Sequence, residues 1–421
     1  MKRTHSSGNK EFNPETLALG YGYDPELSAG SVKPPVFLTS TFQFSSAAEG
    51  KRFFELAYGL RKAADGEQTG LIYSRLNNPN LQMFEERMAA WDRSEKGATF
   101  ASGMAAISTT MLALVEPRSV IVSTSPVYGG THYLLEHILP RFGVEHRFIP
   151  AGDEAPAALE RVAEEVGRER VRMVFVETPA NPSLVHTDIA AVAAITAGLG
   201  SPEAPAGLVV DNTLLGPVFQ RPAPQGADVV VYSATKFLGG HSDLIAGVAT
   251  GTGRVMDRVL ESRTILGTQT SPFNGWLLLR SLETVSVRMR RQAKTARKLA
   301  LVLADHPRVR NVRYPGLLDP ASSQGALFQR QCTGAGSMIS FEVEGGEEAA
   351  FRVLDRFEVF RLAVSLGGTE SLVEHPATMT HADVSPEENA GVGVTPGLIR
   401  MSVGLEHRSD LERDLRYALE G

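Results

Sequence analysis

Three apolar segments in the middle of the chain are each followed by polar side chains that could do chemistry. Residues 171–176 are followed by Glu177-Thr-Pro-Ala-Asn181, residues 207–210 by Asp211-Asn-Thr213, and residues 228–232 by Ser233-Ala-Thr235-Lys236. Among them are the Asn181 amide, the Asp211 carboxylate, the Ser233 and Thr235 hydroxyls and the Lys236 amine. This set suits an aromatic cofactor that carries an aldehyde and a phosphate. The lysine can form a Schiff base, the aspartate can keep a ring nitrogen protonated, and the hydroxyls can bind phosphate oxygens.

Two segments further upstream add to this set. Ser102-Gly103-Met104 opens a helix-forming stretch, and the free backbone N–H groups at the start of a helix form an anion site. Tyr128, within Pro126-Val-Tyr-Gly-Gly-Thr131, follows another apolar run and could lie over a flat cofactor.

The elements that must position these residues alternate along the chain. Short β-branched runs at residues 119–123, 144–149, 171–176, 207–210 and 228–232 are separated by helix-compatible stretches such as 154–168 and 188–197. Continuous apolar strands with crossover helices are typical of a parallel sheet that is buried on both faces. Such sheets bind ligands at the carboxyl ends of their strands. The sequence therefore predicts an α/β fold with the polar residues gathered at one edge of a mostly parallel sheet.

The rest of the chain divides into an arm and a second region. Four prolines punctuate the first 70 residues, where few apolar residues recur at helical spacing, so we expect an irregular arm with an exposed excursion at residues 53–70. Ser271-Pro272 predicts the start of a long helix that runs to about residue 305. The predicted units are an N-terminal arm (1–72), a large domain (73–280) and a smaller C-terminal α+β domain (281–421), which ends in an amphipathic helix at 411–419.

Composition excludes several classes of protein. The chain has 421 residues, with 42 Lys+Arg against 48 Asp+Glu for a net charge of −6, which gives no electrostatic reason to expect binding to nucleic acid or to an anionic membrane. A single cysteine, Cys332, rules out an intrachain disulfide and fits a reducing compartment. The polar first ten residues predict no secretory signal. We expect a cytoplasmic protein.

Taken together in their order, the motifs resemble the Cys/Met metabolism family of pyridoxal phosphate-dependent enzymes, which includes methionine γ-lyase, cystathionine γ-lyase and cystathionine γ-synthase. Any one motif is weak, whereas the ordered set is specific and covers nearly the whole chain beyond residue 70. The matching segments are 73–79, 102–104, 128–130, 177–182, 211–213, 233–241, 365–368, 375–381 and 399–406.

The resemblance implies a type I pyridoxal phosphate-dependent fold and a role for each matching residue. It implies that Lys236 forms the Schiff base with pyridoxal 5′-phosphate, that Asp211 pairs with the pyridinium nitrogen, and that Asn181 contacts the ring hydroxyl. Ser233, Thr235 and the Ser102-Gly103-Met104 segment would bind the phosphate. Tyr128 would stack on the ring and assist proton transfer.

The resemblance also implies how the substrate is held and how subunits combine. Arg400 and Ser365 would hold the substrate α-carboxylate, for which arginine suits because its guanidinium can form two parallel hydrogen bonds. Tyr73 and Arg75 would reach the phosphate in a neighbouring subunit. The active unit would then be a homodimer, or a homotetramer of two such dimers, with an active site shared between subunits.

Departures from the family pattern bear on the substrate. Methionine γ-lyases usually carry a cysteine where this chain has Gly130, and a Lys-Asp pair where it has Arg263-Thr264. Cystathionine-handling relatives often carry an arginine and a glutamate where it has Tyr133 and Val364. We favour γ-elimination by a carbon–sulfur lyase on a less polar γ-substituted amino acid. γ-Replacement of the kind catalysed by cystathionine γ-synthase or O-acylhomoserine sulfhydrylase, and a cystathionine γ-lyase, are the alternatives.

Two other classes of protein are remote alternatives. Ser233-Ala-Thr-Lys236 formally matches the Ser-x-x-Lys motif of serine acyl enzymes, but the segments that resemble its companion motifs break at their last residues. A non-catalytic binding protein would not need both Asp211 and Lys236, although each alone is more often a surface or turn residue. His132 and His137 are five residues apart and off a common helical face, so we expect no metal site.

Overall fold

The apolar runs of the sequence form the centre of the larger of two main sheets. The computed structural model describes residues 6–7, 10–64, 67, 69–382 and 384–420. In this part of the chain the large sheet has seven strands in the order β1-β7-β6-β5-β4-β2-β3. They are β1 (Lys96–Phe100), β2 (Val120–Ser125), β3 (Glu145–Pro150), β4 (Val171–Glu177), β5 (Gly207–Asp211), β6 (Val229–Ser233) and β7 (Gly247–Gly251).

The predicted mostly parallel sheet is confirmed. Strands β6, β5, β4, β2 and β3 are parallel to one another, whereas β7 is antiparallel to both β6 and β1. Strands β1 and β7 were not predicted, because their sequences are rich in glycine, alanine and threonine and contain no continuous β-branched run.

Helices cover both faces of the large sheet, as continuous apolar strands require. Alternate residues of one strand belong to different cores: Val174 of β4 packs with helices on one face, and Phe175 packs with helices on the other. The helices of the described residues are α1 (Pro14–Ala18), α2 (Ala47–Ala57), α3 (Pro79–Asp92), α4 (Gly103–Leu114), α5 (Gly129–Tyr133), α6 (Ala155–Val166), α7 (Ile189–Thr196), α8 (Gly216–Phe219), α9 (Gly253–Leu266), α10 (Pro272–Leu282), α11 (Val285–Ala304), α12 (Ser323–Gln331), α13 (Gly346–Arg356), α14 (Pro386–Gly391) and α15 (Arg408–Leu419). None of them has the length and apolar character needed to cross a bilayer.

A second, smaller sheet forms in the C-terminal region, as predicted. It has the order β8-β9-β12-β11-β10 and is antiparallel except where β10 meets β11. Its core includes apolar residues of α11, α13 and the terminal helix α15. The strands are β8 (Val309–Arg313), β9 (Met338–Val343), β10 (Arg361–Leu362), β11 (Leu372–Glu374) and β12 (Leu398–Ser402).

The prediction of one continuous helix from residue 271 to about residue 305 is wrong, because this segment forms two helices. Ser271 caps α10 as expected, with its hydroxyl accepting the Asn274 N–H at 3.2 Å, but α10 ends at Leu282 and α11 begins at Val285. In a continuous helix the Ser281 carbonyl would accept the N–H of Val285. Here it accepts the Thr284 N–H at 3.2 Å and the Arg288 guanidinium at 3.0 Å, so the chain turns at this point.

The N-terminal arm is more ordered than its sequence predicts. It contains α2, an 11-residue helix whose Ser46 cap accepts the Glu49 N–H. Ala18 and Tyr23 of the arm are buried in a core of the large sheet of the same chain. Residues 65, 66 and 68 of the expected excursion, and residues 1–5 and 8–9 of the arm, lie outside the described residues.

The Arg288 side chain joins α11 to the loop that follows β6. Its guanidinium donates to the carbonyls of Phe237 at 2.9 Å, Leu238 at 3.3 Å and Ser281 at 3.0 Å. Burial disfavours the charged form of Arg288 and lowers its pKa to about 10. The hydrogen bonds to these carbonyls offset the cost of burying the charge. The loop that carries Lys236 is therefore fixed by a buried cation on a neighbouring helix.

We expect Arg288→Leu to lower the free energy of unfolding by about 3 kcal/mol or more, because three buried carbonyls lose a donor and each such loss costs roughly 1–3 kcal/mol. Urea denaturation followed by circular dichroism measures this change. Arg290→Leu on the same helix is the control. Its side chain is 61% exposed, so a change within about 0.5 kcal/mol is expected. Equal losses in the two variants would contradict this role for Arg288.

Candidate active site

A cavity of about 420 Å³ lies where β4, β5 and β6 end. Every site residue predicted from the sequence lines it, except Tyr73 and Arg75. Two larger hollows, of about 710 and 820 Å³, contain none of the predicted site residues. The predicted residues that line the smaller cavity are Ser102, Gly103, Met104, Tyr128, Asn181, Asp211, Ser233, Thr235, Lys236, Ser365 and Arg400.

Lys236 lies in the turn directly after β6. Its amine donates to the Ser365 hydroxyl at 2.7 Å. Burial, and then the nearby Arg400 guanidinium, lower the pKa of Lys236 to about 8, although Glu374 opposes this shift. A larger fraction of this amine is therefore unprotonated near neutral pH than for an ordinary lysine. An unprotonated amine is what a nucleophile or a base requires.

Asp211 ends β5 and its carboxylate faces the same cavity. Its Oδ1 accepts the Thr213 backbone N–H at 3.0 Å and the Thr213 hydroxyl at 2.6 Å. The Thr213 hydroxyl oxygen in turn accepts the Ser233 N–H at 2.9 Å. Burial raises the pKa of Asp211 to about 6, so a cationic partner in the cavity would stabilise its ionised form.

A second carboxylate, Glu177, lies beside Asp211. The register of β4 and β5 pairs the two residues directly. Burial, and then the charge of Asp211, raise the pKa of Glu177, against the effect of two backbone N–H groups and Arg400. The sequence pattern places Glu177 at the end of its strand, but it predicted no role for this residue.

Arg400 enters the cavity from β12 and is held on three sides. Its Nη1 lies 3.0 Å from Glu374 Oε1 and donates to Asn181 Oδ1 at 3.1 Å. Its Nη2 donates to the Ser365 carbonyl at 2.9 Å. Glu374, which pairs with Arg400 in the register of β11 and β12, was not predicted from the sequence. In the sequence, the one signal for Glu374 is its position directly before the matching segment 375–381. The strand that it ends is only three residues long, which is too short to be predicted from a local pattern.

Ser365 connects the lysine to the arginine. Its hydroxyl accepts from Lys236 and its carbonyl accepts from Arg400. Its backbone has a φ of 100°, which is disfavoured for any residue with a side chain. Strained backbone of this kind persists where the surroundings fix it, and it clusters at functional sites.

The start of α4 forms an anion cradle. Ser102 caps this helix through the Ala105 N–H at 3.0 Å, and Gly103 is its first residue. A Cβ added to Gly103 would lie 2.8 Å from the Ser233 Cβ, so only glycine lets the helix begin this close to β6. Gly103 and Met104 of the first turn line the same space as Ser233 and Thr235, which fits a phosphate group.

Tyr128 stands at the mouth of the cavity, with 45% of its surface exposed. A Cβ added to Gly130 would lie 2.7 Å from the Tyr128 Cε1 and 2.9 Å from the Met104 Sδ. Any side chain at this position would therefore require the ring or the Met104 side chain to move. Gly130 permits the observed ring position.

The remaining wall of the cavity is mainly apolar. Ile245, Val364, Leu366 and Met379 line it, together with the Thr380 hydroxyl, which donates to Glu374 at 2.8 Å. Among the described residues lining the cavity, Lys236 and Arg400 are the basic ones, and of these Arg400 is the permanent cation. Tyr133, which stands where some relatives have an arginine, does not line it.

Tyr73 and Arg75 lie away from this cavity. Tyr73 forms a β-bridge with Thr41 of the arm and is 41% exposed. The Arg75 guanidinium donates to the Thr264 carbonyl at 2.6 Å. Both lie on the surface of this chain, and their expected role in a neighbouring subunit stays a prediction.

Comparisons with known proteins find similar sequences and similar folds. A family model described as Cys/Met metabolism PLP-dependent enzyme matches residues 15–420. An L-methionine gamma-lyase from Pseudomonas deceptionensis is 40% identical over 414 residues, which cover 98% of each chain. A cystathionine beta-lyase from Coxiella burnetii is 36% identical over 98% of this chain and 100% of its own. The structure of a cystathionine gamma synthase from Xanthomonas oryzae pv. oryzae in complex with cystathionine superposes with a TM-score of 0.86 at 33% identity, covering 98% of each chain.

We expect the Lys236 amine of the cofactor-free protein to react with trinitrobenzenesulfonate at a rate that is half-maximal near pH 8. Only the unprotonated amine reacts, and burial lowers the pKa of Lys236 to about 8. Peptide mass spectrometry after timed labelling measures the rate at this one residue. Free Nα-acetyl-lysine in the same reaction is the control, with an amine pKa of about 10.4. Coinciding pH profiles for the two amines would contradict the expected shift.

Proposed function

The chain belongs to the Cys/Met metabolism family of pyridoxal phosphate-dependent enzymes, and from that premise we propose that it is a γ-eliminating carbon–sulfur lyase similar to methionine γ-lyase. Its two sheets have the predicted type I fold of these enzymes. The observation that carries the proposal is one cavity in which Lys236, Asp211 and Arg400 meet beside an apolar wall.

The residues of the cavity fit pyridoxal phosphate. We assign its aldehyde to Lys236, its ring nitrogen to Asp211 and its ring hydroxyl to Asn181. Its phosphate would lie in the space between the start of α4 and β6 that a Cβ on Gly103 would fill. The cofactor would supply an electron sink for the negative charge that develops at the substrate α-carbon.

The amine of Lys236 is assigned the first proton transfer. With the substrate bound, this amine would take the proton from the α-carbon. Its lowered pKa supports this role, because a base works best when its pKa is near the working pH. The Ser365 hydroxyl, 2.7 Å away, orients the amine.

Arg400 is assigned to the substrate α-carboxylate. Glu374, Asn181 and the Ser365 carbonyl hold the guanidinium in place. Because it is 4% exposed, an anionic ligand would gain more from it than from an arginine in water. A γ-substituent can leave only after a second proton is lost, this time from the β-carbon, and we assign to the phenol of Tyr128, at the mouth of the cavity, the proton that the departing sulfur then takes.

The apolar wall favours a substrate with a weakly polar γ-substituent. With Arg400 occupied by the α-carboxylate, no further arginine among the described lining residues is available for a distal carboxylate such as that of cystathionine. At the mouth of the cavity the side chains of Val364 and Ile245 are 56% and 64% exposed. A thioether methyl group that binds there would bury their apolar surface.

We further propose that two chains share each active site. The arm exposes large apolar side chains, including Leu38 at 70%, Tyr58 at 61% and Leu60 at 74%. Apolar surface of this kind is typical of a protein interface. Tyr73 and Arg75 lie near the arm and are assigned to the phosphate bound by the partner. A homodimer is then the smallest active unit, a homotetramer is the larger form, and the cytoplasm stays the predicted location.

We expect the purified enzyme with pyridoxal phosphate to convert methionine to 2-oxobutanoate, ammonia and methanethiol, and homocysteine to 2-oxobutanoate, ammonia and hydrogen sulfide, with kcat/KM at least about tenfold above that for cystathionine. The apolar wall supplies the difference, since leaving a distal charge unpaired in such a site costs more than about 1.4 kcal/mol. Product analysis with and without an added thiol measures both the substrate preference and the fate of the carbon chain.

Matched variants and the other products decide between the alternatives. Lys236→Ala should abolish turnover, whereas Lys294→Ala, an exposed lysine on α11, should not change it. Products formed only by thiol capture would indicate a γ-replacement enzyme. A preference for cystathionine would indicate a cystathionine γ-lyase if the product is 2-oxobutanoate, and a β-lyase if it is pyruvate. Each of these outcomes would overturn the proposal.

A further inference from the structure

The Glu177 carboxylate connects two loops that both line the cavity. It is 5% exposed at the end of β4. Its Oε2 accepts the backbone N–H of Tyr128 at 2.7 Å, and its Oε1 accepts the backbone N–H of Asn181 at 2.8 Å. Tyr128 is the residue before α5, and Asn181 lies in the loop that follows β4. One side chain therefore fixes the starting points of two loops that come from different strands.

Only a carboxylate can form both of these bonds. Each of its oxygens accepts a hydrogen bond, whereas an amide of the same shape has one oxygen and one N–H₂ group, which cannot accept a bond from a backbone N–H. Buried backbone N–H groups need an acceptor. The two loops thus require an acidic residue at this position.

The carboxylate is retained although its surroundings disfavour its charge. Asp211 faces it from β5 in direct register, and burial adds to that cost. Arg400 from β12 is the charged group that opposes this effect. If Glu177 served only to fill space, an apolar residue of similar volume would avoid the cost of burying a charge.

We propose that Glu177 is a positioning residue that fixes the ring of Tyr128 and the amide of Asn181 relative to one another. The inference rests on the proposed function, in which those two residues act at the cofactor. The side chain of Asn181 also accepts a hydrogen bond from Arg400 at 3.1 Å. By fixing Asn181, Glu177 therefore also helps to orient the Arg400 guanidinium, which is assigned to the substrate α-carboxylate.

The test is Glu177→Gln, compared with Glu85→Gln as a matched control. Glu85 is also a buried glutamate, 8% exposed, whose carboxylate accepts a backbone N–H, that of Thr99 at 2.8 Å, but it does not line the cavity. In Glu177→Gln one backbone N–H meets the amide N–H₂, so one loop must move. We expect kcat/KM to fall by roughly ten- to a hundredfold, the range for losing one hydrogen bond to a charged group.

A spectroscopic readout separates positioning from general destabilisation. The visible circular dichroism of bound pyridoxal phosphate reports how the ring is held, and we expect it to change in Glu177→Gln but not in Glu85→Gln. The melting temperature of each cofactor-free protein measures loss of stability on its own. Wild-type dichroism and wild-type kcat/KM in Glu177→Gln would overturn the proposal.

A double-mutant cycle tests whether Glu177 acts through Tyr128. The losses in kcat/KM of Glu177→Gln and Tyr128→Phe should combine to less than their product, because both affect the same ring. Strictly multiplicative losses would contradict a link between the two residues. If neither Glu177→Gln nor Glu177→Asp folds while Glu85→Gln does, Glu177 is a requirement for folding and the positioning role is wrong.

Failure of this inference can be told from failure of the proposed function. If the wild-type protein does not bind pyridoxal phosphate or releases no 2-oxobutanoate, the proposed function fails before any variant is made. If the wild type behaves as proposed and Glu177→Gln matches it, only the role of Glu177 is lost.

Discussion

The site depends on burying several charges in one cavity so that each has a defined partner. Lys236 donates to Ser365, Asp211 accepts from Thr213, and Arg400 pairs with Glu374. A buried charge without a partner costs several kcal/mol, whereas a buried charge with good hydrogen bonds is tolerated. These pairings limit where each group can lie. Burial and the nearby Arg400 guanidinium keep the amine of Lys236 partly unprotonated, which is the property that the proposed chemistry requires.

Strand register creates these pairings from distant parts of the sequence. The parallel pairing of β4 with β5 places Glu177 opposite Asp211, and the antiparallel pairing of β11 with β12 places Glu374 opposite Arg400. The first pair belongs to the large sheet and the second to the C-terminal sheet. Ser365, in the segment between β10 and β11, connects the two sheets, because it accepts hydrogen bonds from Lys236, which follows β6, and from Arg400 of β12. The cavity therefore exists only while the two sheets remain packed against each other.

Much of the fold could be predicted from the sequence because it follows from local pattern. The parallel strands are continuous β-branched runs, and Ser271-Pro272 has the pattern of a helix start. Strands β1 and β7 were missed because their glycine and alanine residues are buried by neighbouring elements, and no local pattern reports such burial. The break between α10 and α11 was missed because it depends on the Arg288 side chain reaching the Ser281 carbonyl. The predicted residues that line the cavity came from ordered motifs, whereas the partners Glu177 and Glu374 act through register, which a single sequence does not show.

The covalent attachment at Lys236 is the central claim, and reduction of the bound cofactor tests it most directly. The purified protein, saturated with pyridoxal phosphate, is treated with sodium borohydride, digested, and analysed by peptide mass spectrometry. The account predicts that the reduced cofactor is found on the peptide that contains Lys236, and that Asp211→Ala weakens its binding without moving it to another lysine. Attachment to a different lysine, or no attachment at all, would contradict the account.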